Sequence, residues 1–180
     1  MPLVHVANSA ATLRFVDARG ELVRPGLALY GLSPSTAAHY TGLLPAMSLK
    51  SRVVALRELP AGEQVSYGGL WRAPKPSRIA TVPIGYADGY TRRMTGQAEV
   101  LVGGARCPVV GAITMDMCMV DVTALTGAGA KLGDEVVLLG GQGGQRIGAD
   151  ELATWAGTIS WEIFTGISKR VPRVYVGERW

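Results

Sequence analysis

Along this chain the spacing of apolar positions changes after about Thr41. Before it, PLVHVANSAATLRF (residues 2–15) places a short apolar strand ahead of Asn8-Ser9, which stand in N-cap position for an apolar-periodic helix. RPGLALYGLSPS (residues 24–35) predicts a second short apolar strand, led in by Arg24-Pro25-Gly26 and closed by Gly31 and Pro34. Two strand ends, each followed by helix- or loop-starting residues, describe the rim of an α/β barrel, but there are too few such units to close one. Beyond Thr41 the period falls to two, and glycine-containing turns recur at the spacing of an all-β domain. Ser48–Leu59 predicts one long strand or a strand pair, and Arg78–Ile84 another strand. Ala98–Val102 and Ala105–Val110 flank Gly103-Gly104, the strongest hairpin signal in the chain. Ala112–Val122, AITMDMCMVDV, alternates strictly, with Ile113, Met115, Met117 and Met119 expected on one face. Glu135–Leu139 is expected as a strand before a glycine-rich loop at Gly140–Gly144. Ala149–Trp155 and Thr158–Ile167 read as two short helices, and Arg173–Val176 as a closing strand.

Inside the β section, LPAGEQVSYGG (residues 59–69) concentrates candidate chemistry. Pro60-Ala61-Gly62 has turn composition. Gln64-Val65-Ser66-Tyr67 then alternates polar and apolar, so Tyr67 is expected at the end of a short strand, before Gly68-Gly69. The ordinary reading of such a tyrosine is a half-buried amphipathic ring. Ser9, opening a helix after a strand, suits an anion, because its hydroxyl and the helix amides point the same way; its ordinary reading is a cap. Asp116, a carboxylate among methionines, needs a partner or a solvent-facing side.

Composition narrows the function classes. The 180 residues are 48% hydrophobic and 18% charged, a folded globular chain with room for one well-packed domain or a domain plus part of another. Apolar runs are too short and interrupted for a transmembrane helix or signal peptide, so a cytoplasmic protein without membrane contact is expected. Cys107 and Cys118 lack metal-ligand or disulfide spacing and are expected as reduced, buried thiols. With only His5 and His39, no histidine-based metal centre is expected. The net charge of +4 is spread thinly and is not interleaved with aromatics, so no nucleic-acid partner is expected.

Seven segments, in order over nearly the whole chain, resemble the alanine racemases, a fold-type III family dependent on pyridoxal phosphate. They are HVANSAA, RPGLALYG, LPAGEQVSYG, VPIGYADGY, VVGAITMDMCMVDV, LGDEVVLLG and TISWEIFTGISKRVPRVYV. The resemblance implies a mainly β chain: residues 1–43 as the last elements of a cofactor-binding TIM barrel, and residues 44–180 as the C-terminal β domain. It implies interconversion of L- and D-alanine, supplying D-alanine for peptidoglycan, with two bases on opposite faces of the cofactor. Tyr67 matches one base. His5 and Arg24 match a histidine–arginine pair at the pyridine nitrogen, and Ser9, Gly26 and Leu27 match phosphate-binding positions. Tyr86 matches a substrate-entry position, and Met115 and Asp116 match residues facing the substrate carboxylate.

Three departures accompany these matches. The other base, the cofactor lysine, is missing from its motif, since Lys50, Lys75, Lys131 and Lys169 all fall in the β section. Trp161 stands where the family usually offers a tyrosine to the phosphate, and Ala112 where many members carry arginine. The chain is therefore expected to be inactive alone and to need a missing barrel or second subunit, and to form a homo-oligomer through exposed barrel-remnant strands instead of the family's head-to-tail dimer. The rival expectations are a non-catalytic β-barrel module for binding or assembly, and half of a split racemase with another specificity, such as serine.

Overall fold

The computed structural model describes residues 3–34 and 42–177, and the chain divides into two compact units, Met1–Ser48 and Leu49–Trp180. Ser35 and His39 lie outside the described residues.

In the first unit, helix α1 (Ser9–Arg14) begins where Asn8 Oδ1 accepts the Ala11 N–H at 3.0 Å, the capping expected of asparagine. The apolar strand expected before it does not form. Leu3, Val4 and Val6 are exposed, and a single parallel bridge joins Asn8 to Arg24. One bridge gives no ladder for a strand to build on. RPGLALYG also differs from expectation: Gly26–Leu29 is a single helical turn, α2, which buries Leu27. Four apolar residues in a row fit a strand or a buried helical turn equally, and periodicity cannot separate them.

Among the described residues the second unit holds an eight-stranded antiparallel sheet, seven strands of it in one path, with a separate two-stranded ribbon. The strands are β1 (Leu49–Arg52), β2 (Ala55–Leu59), β3 (Gln64–Val65), β4 (Trp71–Arg72), β5 (Ser77–Val82), β6 (Glu99–Val102), β7 (Ala105–Val110), β8 (Cys118–Asp121), β9 (Glu135–Gln142) and β10 (Gln145–Ile147). Their order is β1-β9-β6-β7-β8-β5-β2, with β10 also on β9 and β3 paired with β4. β1 and β2 therefore occupy opposite edges of the path, yet only Val53 and Val54 separate them in sequence. The sheet must curl until its edges meet, which makes a barrel-like wall, and buried Val53 marks the bend. Ser48–Leu59 is thus neither one straight strand nor a hairpin.

Local signals produce the rest. Gly103 and Gly104 take φ of 59° and 82° between β6 and β7, the left-handed pair that a two-residue hairpin needs. The expected loop at Gly140–Gly144 is instead the end of β9 and a tight turn into β10. Val100, Leu101, Val120, Val136, Val137 and Ile147 are fully buried and fill the interior. Helices α3 (Ala149–Ala156) and α4 (Ser160–Gly166) follow as expected, with Leu152 and Phe164 buried. Arg106 ties α3 to the wall, donating to Glu151 at 2.6 and 3.0 Å, to Glu99 at 2.8 Å and to the Arg146 carbonyl at 2.7 Å. These hydrogen bonds hold the guanidinium well above its ordinary pKa. No strand forms at Arg173–Val176, where Val174, Tyr175 and Val176 are almost fully exposed. Among the described residues no helix is long and apolar enough to cross a membrane.

Candidate active site

Tyr67 does not lie along a strand. β3 ends at Val65, which is buried in a cluster with Leu59, Ile79 and Val110, and Trp71 of β4 packs on the same cluster. Ser66 then takes φ 65°, the sole positive φ outside glycine among the described residues, and its Oγ donates to the Ala112 carbonyl at 2.7 Å. That left-handed step breaks the alternation. Tyr67 opens a 3-10 turn with Gly68 and Gly69, and its ring is 74% exposed instead of half-buried. The phenol thus stands on a short post fixed at its base by core packing and by the Ser66 hydrogen bond. Its hydroxyl makes no hydrogen bond among the described residues.

AITMDMCMVDV also breaks. Only Cys118–Asp121 is strand, and Cys118 and Val120 face inward while Met115 and Met117 are exposed. The alternation holds from Cys118 to Asp121, where Cys118 and Val120 share the buried face, and fails before it, where Ile113 is buried but Met115 is not. A tight turn at Thr114–Met117 causes the change: Thr114 N donates to Met117 O at 2.9 Å, and Thr114 Oγ1 accepts the Met117 N–H at 3.2 Å. Met115 and Asp116 sit on its crest, and their backbone N–H groups donate to nothing among the described residues. Two adjacent unengaged amides suit an anion.

Tyr86 opens another 3-10 turn (Tyr86–Asp88) packed against this crest, with Tyr86 N to Thr114 O and Ala87 N to Met115 O both at 3.0 Å. Asp116 finds its partner in Arg170, whose Nη2 reaches Asp116 Oδ1 at 2.5 Å and whose Nε lies 3.3 Å from Asp88 Oδ1. A cleft of about 300 Å³ opens beside Tyr86, walled by Thr91, Arg93, Thr158 and Glu162. One segment, Gly111–Met117, therefore backs Tyr67 through Ala112 and Tyr86 through Thr114. Trp161 lies on α4, partly exposed.

In the first unit, Ser9 is buried, and its Oγ accepts the Ala28 N–H at 3.2 Å, linking the start of α1 to α2. Its own proton is left to donate, which suits a phosphate oxygen. Gly26 leaves open space where a Cβ would stand. Arg24 is exposed and donates to Val6 O at 3.5 Å; no hydrogen bond joins it to His5. The Ser9 hydroxyl suits the phosphate end of the expected cofactor, whereas its aldehyde end needs an amine from outside these segments.

Sequence reading missed Ser66, Gly111 and Arg170. Only a fold that packs residue 66 against residues 111–112 gives the first two a task, and Arg170 reads as one more surface charge in KRVPR.

Cys107 and Cys118 are buried free thiols; burial pushes the first up to about 11 and the second up to about 12. Burial, with Cys118 adding, also holds the Tyr90 phenol well above its ordinary value. In the unfolded chain a thiol ionises near 9.0. A raised folded pKa means that stability is complete below about pH 9 and is lost as pH climbs toward 12. Thermal melts should be level from about pH 7 to 8.5 and fall above 9. Cys118→Val should fall less steeply, and an identical slope in that variant removes Cys118 from the account.

The second unit is thus a barrel-like antiparallel β domain that carries an exposed phenol and a turn with two unengaged amides on one backing segment. Comparison with known proteins names the family. Residues 46–175 match the family "Alanine racemase, C-terminal domain", and residues 1–34 match "Alanine racemase, N-terminal domain". An alanine racemase of Clostridium novyi is 48% identical over 174 residues, covering 96% of this chain and 45% of that protein. The Bacillus anthracis alanine racemase with bound L-Ala-P superposes with a TM-score of 0.90 at 45% identity, over 97% of this chain and 45% of that one. The Bartonella henselae alanine racemase with covalently bound pyridoxal phosphate gives 0.86 at 35% identity, over 98% and 47%. The chain belongs to the alanine racemase family and spans less than half the length of these relatives.

Proposed function

We propose that this chain supplies the C-terminal half of a racemase that interconverts L- and D-alanine, with residues 1–43 ending a cofactor-binding barrel and residues 44–180 forming the β domain. The observation that carries it is Tyr67, an exposed phenol on a rigid post in a family whose relatives are named for this reaction. Racemisation removes the α-proton from one face and returns it to the other, so it needs a proton-transfer group on each side. Tyr67 takes and gives the proton on one face. A lysine on a barrel that completes the site serves the other, because none of Lys50, Lys75, Lys131 and Lys169 stands in the family motif.

Pyridoxal phosphate, when bound, supplies an electron-withdrawing conjugated system that acidifies the α-carbon. Ser9, with Gly26 and Leu27, receives the phosphate. Arg24 keeps a permanent positive charge near the ring nitrogen, which disfavours its protonation and restrains side reactions such as transamination. His5 belongs beside Arg24. The Met115 and Asp116 amides receive the substrate carboxylate, and Tyr86 borders the entry. Trp161, an indole in place of the usual phenol, offers one N–H and no acceptor, so it contributes at most a donor to the phosphate. The whole assembly is a soluble homo-oligomer serving D-alanine supply for peptidoglycan in the cytoplasm.

Co-expression with a barrel polypeptide carrying the motif lysine tests this. The pair should turn L-alanine into racemic alanine, and neither part should do so alone. A pair that assembles and binds the cofactor but leaves alanine optically pure sinks the reading.

A further inference from the structure

The stretch from Ile167 to Arg173 is knotted on itself. Arg173 donates to the carbonyls of Ser168 at 2.5 Å, Val171 at 2.6 Å and Ile167 at 2.9 Å, and Arg170 N donates to Ser168 Oγ at 3.2 Å. Ser168 N in turn donates to Asp88 O at 3.0 Å, so the root of Arg170 is anchored to the turn that begins with Tyr86. From there one guanidinium reaches two carboxylates on two turns, Asp88 and Asp116. Those turns are in backbone contact: a Cβ on Gly85 would lie 2.2 Å from Thr114 O and 2.4 Å from Met115 O.

The chemistry of the crest assigns the guanidinium a task. A carboxylate substrate is repelled by the Asp116 side chain, and what the crest offers an anion is its two unengaged amides. Asp116 bears one of those amides and Asp88 shares its guanidinium partner, so each adds a negative charge near the crest that opposes the ligand. We propose that Arg170 is a positioning residue, which clamps the Thr114–Met117 turn onto the Tyr86–Asp88 turn and offsets the charge of Asp88 and Asp116 where an amino-acid carboxylate is received. The inference rests on the reading of these turns as substrate-facing. Its energy is not spent on the fold, since an ion pair with a half-exposed arginine adds little to stability. What it governs is placement and local charge.

Arg170→Gln separates these roles. In the chain itself, amide hydrogen exchange at Tyr86 and Ala87 should quicken while exchange in β6, β7 and β9 stays parental. In the chain assembled with a lysine-bearing barrel, KM for both alanine enantiomers should rise about tenfold, with kcat changed by less than about threefold. Adding Asp116→Asn should recover much of the KM, because it removes the uncovered charge, while exchange at Tyr86 stays fast. Arg170→Lys, which keeps the charge but not the two-armed reach, should sit between the parent and Arg170→Gln in KM. Parental exchange at Tyr86 and Ala87 in Arg170→Gln overturns the clamp whatever the assembly does. Faster exchange throughout the sheet, or a KM rise that Asp116→Asn leaves untouched, reduces Arg170 to a structural contact. A parental assembly that does not racemise overturns the functional reading instead, and the exchange arm still decides the clamp.

Discussion

Replacing Tyr67 with phenylalanine should lower kcat about a hundred- to ten-thousand-fold in the assembled enzyme, the usual worth of a positioned general base. The fall should lie in that range in both directions, and the loss in kcat/KM should be equal, because the equilibrium constant between enantiomers is unity by symmetry and ties forward to reverse efficiency. Stability should hardly move. The ring is 74% exposed and its hydroxyl makes no hydrogen bond within the described chain, so removing that oxygen should cost less than about 0.5 kcal/mol. Isotope exchange in deuterated water then distinguishes a one-face base from a general support. With the lysine face intact, the variant should still exchange the α-proton of the enantiomer that the lysine deprotonates, faster than it racemises. Racemisation at the parental rate would exclude Tyr67 as a base. Equal loss of exchange from both enantiomers, in a folded and cofactor-loaded variant, would make the tyrosine a support and not a proton carrier.

What could be read from the chain and what could not divide along the range of the interactions involved. The Gly103-Gly104 hairpin and helix α3 were legible because their causes are local: two residues free to take positive φ, or an apolar face at helical spacing ending at Gly157, which takes φ 62°. Segments whose form is set from elsewhere misled. Val53-Val54 gives no sign in sequence that the strands on either side of it lie at opposite edges of the sheet. Thr114 reads as one polar position among many until its hydroxyl closes a turn on Met117 and cuts the alternating run short before Cys118. Segment 173–176 alternates like a strand, yet no strand pairs with it in the described chain. The candidate site shows the same division. Motif order singled out Tyr67, Tyr86, Met115 and Asp116 together, but their common backing by Gly111–Met117 depends on the fold.

Gly111 is a vulnerable point of that backing, and Gly111→Ala should be strongly disruptive. Its φ of 67° already costs an alanine about 1–2 kcal/mol. The added carbon would stand 2.5 Å from Val65 O and 2.9 Å from Ser66 Cβ, so the backbone of β3 must retreat. Retreat strains the Ser66–Ala112 hydrogen bond and disturbs the packing of Val65, adding roughly another 1–3 kcal/mol. Gly96 supplies the control. It has φ 77° but open space around its Cβ position, so Gly96→Ala carries the backbone penalty without the clash. Thermal unfolding should therefore drop about 2–4 °C per kcal/mol in both variants, and clearly further in Gly111→Ala. Activity should separate them more sharply, because a shift of about 1 Å in a reacting group can cost a hundredfold in rate. Gly96→Ala should keep the parental kcat, while Gly111→Ala, assayed at a temperature where it is folded, should lose most of it by displacing the post under Tyr67. Equal losses of stability in the two variants would show that β3 yields freely at residue 66, and the rigid presentation of Tyr67 would then need another source.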